Sequence, residues 1–268
     1  MANPIIGQPD AFTKHAQQGY AQQQYVGQGY VQDPQLQYQQ VPQPGGVMTL
    51  DDVIAKSAIT LGAVFAAAAA TWLLLPPQLL YPALLISAIA GFVTVLFVAG
   101  RRKVPVGGVL LYAAIEGIFV GAISKFFELM YPGIVVSAVL ATFVTAGVTL
   151  GAYKFLNIRV TPKFRKMVTI GTLALFGVMM VNLGFAFFGV DTGLRQIGAG
   201  AGLLSIGISV LAIGLAVMNL VVDFDSIERG IQLQAPASES WRAALGITVT
   251  MVWLYVEILR ILSYFRSN

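Results

Sequence analysis

Seven apolar stretches, each close to the ~20 residues a helix needs to cross a bilayer, constrain this chain more than any other feature. They lie at residues 57–75, 80–99, 106–127, 134–152, 168–188, 199–222 and 243–264. Pro76-Pro77 breaks the first from the second, and Tyr131-Pro132-Gly133 turns the third into the fourth. Composition agrees. Of 268 residues, 57% are hydrophobic and 10% charged, where a soluble domain carries roughly 25% charged residues. Mean hydropathy is +0.76. Such a chain lacks the charge to cover a water-facing surface, and the pattern predicts an all-α membrane protein built as a seven-transmembrane-helix bundle over residues 48–268.

Residues 1–47 differ in composition. They hold thirteen glutamines, with Tyr20, Tyr25, Tyr30 and Tyr38 interleaved among glycine and proline. A stretch with so little aliphatic surface cannot offset the entropy of ordering, so it reads as a disordered tail. It has no basic region leading into an apolar core, which argues against a signal peptide. The folded part begins at Thr49, where Thr49 and Asp52 have the spacing of a capping box and Asp51 adds negative charge to the first turn.

Basic residues report orientation. Arg101, Arg102, Lys103, Lys154, Arg159, Lys163, Arg165, Lys166, Arg229 and Arg242 all fall in connections on one side. The opposite loops offer Arg195, and Arg266 follows the last span. The positive-inside rule then predicts a cytoplasmic N-terminus and a C-terminus outside, and we expect residence in a bacterial cytoplasmic membrane. The net charge of +4 marks topology and not a nucleic-acid surface. Gly117-x-x-x-Gly121 and Gly147-x-x-x-Gly151 fit the small-residue pattern of close helix packing. We read both as packing within a monomeric bundle.

Several chemistries drop out. There is no cysteine, and the single histidine, His15, lies in the polar tail, which removes thiol nucleophiles, His-based triads and imidazole metal sites. The last span has no lysine for a retinal Schiff base, and the GxGD pattern of intramembrane aspartyl proteases is missing. The chain reads as a non-enzyme with no cofactor and no firm metal site.

An ionisable group at bilayer depth costs at least ~2.5 kcal/mol on insertion scales, so each one asks for a reason. Glu116 falls near the middle of the third span, without a basic residue within a turn. Glu257 and Arg260 lie inside the seventh, three residues apart and on one face, where they can pair. Asp223 and Asp225 close the sixth span at its cytoplasmic end, pointing to different faces. Asn182 and Asn219 read as interhelical hydrogen bonds. Buried carboxylates with few basic partners suit cation passage or proton exchange, and oxygen ligands suit calcium.

Val222-Asp223-Phe224-Asp225-Ser226-Ile227, Leu254-Tyr255-Val256-Glu257-Ile258-Leu259-Arg260-Ile261-Leu262 and Ala114-Ile115-Glu116-Gly117, in that layout, resemble the transmembrane Bax inhibitor motif family over residues 49–268. The resemblance implies a bundle with the last helix near its centre. It also implies a pH-sensitive calcium leak pathway governed by an acidic pair on the sixth and seventh helices. Carried over, Asp223 and Glu257 form that gating pair, with Asp225, Glu116 and Arg260 as pathway or supporting residues. Thr250, seven residues before Glu257 on the same face, is the other position that aligns. Some relatives are described as restraining a membrane-anchored AAA+ protease, so a non-transporting regulator with such a partner is the alternative.

Overall fold

A computed structural model describes residues 46–156, 158–190 and 192–266. Of the tail expected to be disordered over residues 1–47, residues 1–45 lie outside the described residues, while Gly46 and Val47 are paired with the Pro236–Ala237 segment. Seven long helices follow one another: α1 (Leu50–Leu74), α2 (Leu80–Ala99), α3 (Val106–Met130), α4 (Ile134–Phe155), α5 (Pro162–Phe187), α6 (Leu203–Gln232) and α7 (Glu239–Tyr264). All seven are long and apolar enough to span a membrane.

Local chemistry sets their ends. The Thr49 hydroxyl accepts from the Asp52 amide at 3.2 Å, capping α1 and satisfying one of the amides that a helix start leaves unpaired. The Asp52 carboxylate instead takes the Lys56 ammonium at 2.6 Å, so only half of the expected capping box forms. At the other end of α1, Lys125 of α3 donates to the carbonyls of Trp72 (2.8 Å) and Leu75 (2.6 Å). A cation on those unpaired carbonyls also suits the helix dipole. Gly133, at φ +80°, takes the left-handed turn into α4.

The last helix occupies the centre, as the resemblance implied. It packs against α1, α3, α4 and α6, and Leu245, Leu254 and Leu259 along it are fully buried. Large apolar side chains cover the outside instead: Ile86 on α2, Leu140 on α4 and Val181 on α5 are all exposed. That inversion is what lipid as solvent allows, because a bilayer imposes no cost on exposed hydrocarbon.

The two glycine pairs behave differently. Gly117 and Gly121 lie against the α1 backbone, where an added Cβ would stand 2.6 Å from the Val64 carbonyl oxygen and 2.5 Å from that of Ala68. Around Gly147 nothing lies within 4 Å, and Gly151 meets only the Phe155 ring at 3.9 Å. The α4 pair therefore does not pack within the bundle, which corrects that part of the sequence reading.

At the basic face of the bundle the chain before α1 is stitched to the α6–α7 turn. Met48 donates to the Ala235 carbonyl at 2.7 Å and Ala237 to that of Gly46 at 3.1 Å. Arg242 closes the same face, pairing with buried Glu239 at 2.6 Å and donating to the carbonyls of Ala99, Arg101 and Arg102.

Candidate functional site

Polar groups enter the bundle mainly along α6 and α7. The sequence places Asp223 at a helix end, but α6 continues nine residues beyond it to Gln232, about 13 Å at 1.5 Å per residue. Asp223 is thus well inside the span and completely buried. Its carboxylate accepts from the Thr250 hydroxyl of α7 at 2.7 Å. Thr250 is itself buried.

Glu257 lies seven residues further along α7, about 10 Å beyond Thr250. The two members of the expected acidic pair are therefore held at different levels by different partners. Asp223 meets the threonine that was the other candidate for alignment. Glu257, 3% exposed, receives Arg195 Nη1 at 2.7 Å on Oε1. The guanidinium of Arg260 is further off, with Nε 3.8 Å from Oε2, beyond a hydrogen bond. Both of those buried atoms lack a hydrogen-bond partner among the described residues. Arg260 turns its Nη1 to the Arg195 carbonyl at 2.9 Å, so it positions the arginine that pairs with Glu257.

Arg195 belongs to the α5–α6 connection, which folds over the end of α7 opposite the basic face. Ser263 of α7 accepts from the Gly198 amide at 3.2 Å, and Tyr264 and Ser209 share a hydrogen bond of 2.8 Å. With Asn182, Thr192, Gln196 and the apolar Val190 and Ile197, Arg195 lines a cavity of about 450 Å³. Asn182 receives the Thr192 hydroxyl there, a contact within one hairpin and not the interhelical bond the sequence suggested. Asn219 does bond between helices, donating to Thr172 of α5 at 2.9 Å.

Asp225 is not solvated at a terminus. Arg165 of α5 approaches at 2.6 Å and Arg229, one turn on, at 2.9 Å. Tyr153 of α4 donates to the neighbouring Glu228 at 2.6 Å. These charges let the helix run on through residues that a hydropathy reading ends it at. Glu116 stands apart from this line, half-buried in α3. Its Oε2 lies over Gly91 of α2, 2.9 Å from where a Cβ would be, and Tyr112 faces it one turn earlier.

Arg195 is the residue the sequence reading passed over. Its signal was positional: it is the lone basic residue in the loops opposite the basic face, 62 residues from the carboxylate it meets.

Fold and site together define an integral membrane protein whose buried carboxylates, Asp223, Asp225, Glu239 and Glu257, lie on its two most buried spans. Its sequence matches the family profile described as Bax inhibitor 1 like over residues 3–267, and the chain belongs to that family. The match takes in most of the N-terminal tail, which the resemblance had left out. Comparison with curated proteins gives no match.

Proposed function

We propose that the chain is a pH-sensitive cation leak pathway, with calcium as the favoured ion, running along the α6–α7 interface. The observation that supports it is Glu257: a buried carboxylate with one oxygen held by Arg195 and the other without a hydrogen-bond partner among the described residues. A buried acid at membrane depth is expensive and marks ion pathways more often than structural sites. Asp223 and Thr250 supply further oxygens about two turns deeper, and hard cations prefer oxygen.

In this reading Arg195 closes the pathway at the end opposite the basic loops. A cation reaches Glu257 only when the guanidinium, carried by a loop, swings away. Acid pH works against conduction, because a protonated carboxyl offers a cation no charge. Flux is therefore expected to be lower at acid than at neutral pH. Two residues on along α6, Asp225 is held by Arg165 and Arg229.

The experiment is calcium entry into dye-loaded proteoliposomes, from acid to neutral pH. Wild type conducts more at neutral pH, Asp223→Asn and Glu257→Gln lower the flux and flatten its pH dependence, and Arg195→Gln raises it. Unchanged flux in both carboxylate variants would remove the assigned roles. No flux above empty liposomes from folded protein would overturn the leak and favour a non-transporting regulator of a membrane-anchored AAA+ protease.

A further inference from the structure

Away from the acidic line, an apolar groove of about 230 Å³ lies among α1, α3, α4 and α7. Its walls include Leu61, Phe65 and Trp72 of α1 and Phe143 of α4, and its floor is Met251 and Tyr255 of α7. The rings of Phe65 and Phe143 stack across its mouth, with centroids 5.9 Å apart and planes inclined at 17°. Both rings are exposed, as are Leu140 and Val144 beside them on α4. The mouth therefore opens sideways to whatever bathes the outer face of the bundle. For seven membrane-spanning helices that medium is lipid hydrocarbon.

The floor suits an apolar guest. The three hydroxyls that line the groove are already paired, Ser124 Oγ with Tyr255 Oη at 2.6 Å and Thr142 with the Ala138 carbonyl at 2.7 Å, so covering them with hydrocarbon leaves none unpaired. An apolar cavity of about 150 Å³ already accepts benzene, and this groove is larger. Towards the end of the groove away from the basic face, the Lys125 ammonium donates to the carbonyl of Trp72, a lining residue, and to that of Leu75 beyond it, which sets a cation next to one wall of the groove.

We propose that this groove binds one acyl chain of a phospholipid from the leaflet opposite the basic loops, entering past the Phe65–Phe143 pair, with its phosphate towards Lys125. The chain then reaches the central helix at Tyr255, two residues from Glu257. The site does not depend on the leak reading, since it holds whether or not cations pass.

The test uses the full chain in liposomes containing phosphatidylcholine with a diazirine at one acyl terminus. After irradiation, adducts are mapped by peptide mass spectrometry. Adducts are expected on Met251, Val252 or Tyr255, on a helix that surrounding lipid does not otherwise reach. Ala69→Phe, which fills the groove from α1, and Val139→Phe, which fills it from α4, each reduce floor adducts to background. Adducts on exposed Leu140 and Val144 persist and report a folded, lipid-embedded bundle. Wild-type adducts confined to Leu140, Val144 and other outward residues would overturn the proposal, as would floor labelling that survives both filling substitutions.

Discussion

Replacing Gly121 by alanine tests the packing of the bundle with little chemistry in the way. A methyl group there would stand 2.5 Å from the Ala68 carbonyl oxygen, 2.8 Å from Thr71 Cβ and 3.0 Å from Ala68 Cα. Ordinary non-bonded carbon separations are about 3.5–4.0 Å, so α1 would have to withdraw by roughly 1 Å. Two of the three obstructing atoms belong to backbone, which cannot rotate aside. Overpacking of this kind costs about 1–3 kcal/mol, and the backbone obstruction puts Gly121→Ala towards the upper end. Gly147→Ala offers the opposite case on a neighbouring helix, because nothing lies within 4 Å of it. There the replacement only relieves the helix of a glycine, a gain of up to about 1 kcal/mol. The two substitutions are chemically identical and should differ in sign. Thermal unfolding of detergent-solubilised protein, followed by helix circular dichroism, reads both. At about 2–4 °C per kcal/mol for a chain of this size, Gly121→Ala lowers the midpoint by roughly 5–10 °C and Gly147→Ala leaves it unchanged or raises it. Equal shifts at the two positions would refute the close approach of α3 to α1.

Other consequences follow from individual contacts. Arg242→Met leaves buried Glu239 without its partner and frees three carbonyls, so it should cost about 3–5 kcal/mol. The double variant Arg242→Met/Glu239→Gln should recover part of that loss in the same unfolding assay. Thr250→Val removes the hydroxyl that Asp223 accepts from and should cost about 1–3 kcal/mol, while altering calcium flux in liposomes. In Arg195→Gln the Glu257 charge is left buried, and thermal stability should fall. Adding Glu257→Gln should restore it, a coupling that a double-mutant cycle measures.

Much of the fold was legible in the sequence because hydrocarbon length and basic-residue placement are local properties. The spans at 80–99 and 134–152 match α2 and α4 closely for that reason. The reading failed where charge is neutralised by distant residues. It ended the sixth span before Asp223, since Asp225, Glu228 and Arg229 look solvated in a hydropathy window. In the fold, Arg165 reaches Asp225 from 60 residues away and Tyr153 reaches Glu228 from 75, so α6 continues to Gln232. The start of α5 was placed late for the same reason. Lys163, Arg165 and Lys166 read as a loop, although Pro162 can open a helix at its first position and does so here. At the candidate site the sequence singled out Glu257 inside the seventh span. It set Asp223 at a helix end and offered Thr250 only as an alternative alignment, whereas the fold buries both inside the bundle in contact with each other. It paired Glu257 with Arg260 because i,i+3 neighbours are visible in sequence. The closer partner, Arg195, sits on a loop whose path over α7 is set by Ser263 and Arg260. No periodicity encodes that path.

The central claim is that cations travel past the Asp223–Thr250 contact, and the absence of cysteine from the chain allows a direct test. Thr250→Cys introduces a single thiol at that level, and Thr60→Cys places one at an equally buried position on α1. Both proteins are reconstituted in dye-loaded, calcium-tight liposomes and exposed to a small cationic methanethiosulfonate reagent. The account predicts that Cys at 250 is modified and calcium entry is blocked, while Cys at 60 neither reacts nor changes the flux. An inert thiol at 250 during continuing calcium entry would contradict it, placing the ion pathway elsewhere in the bundle.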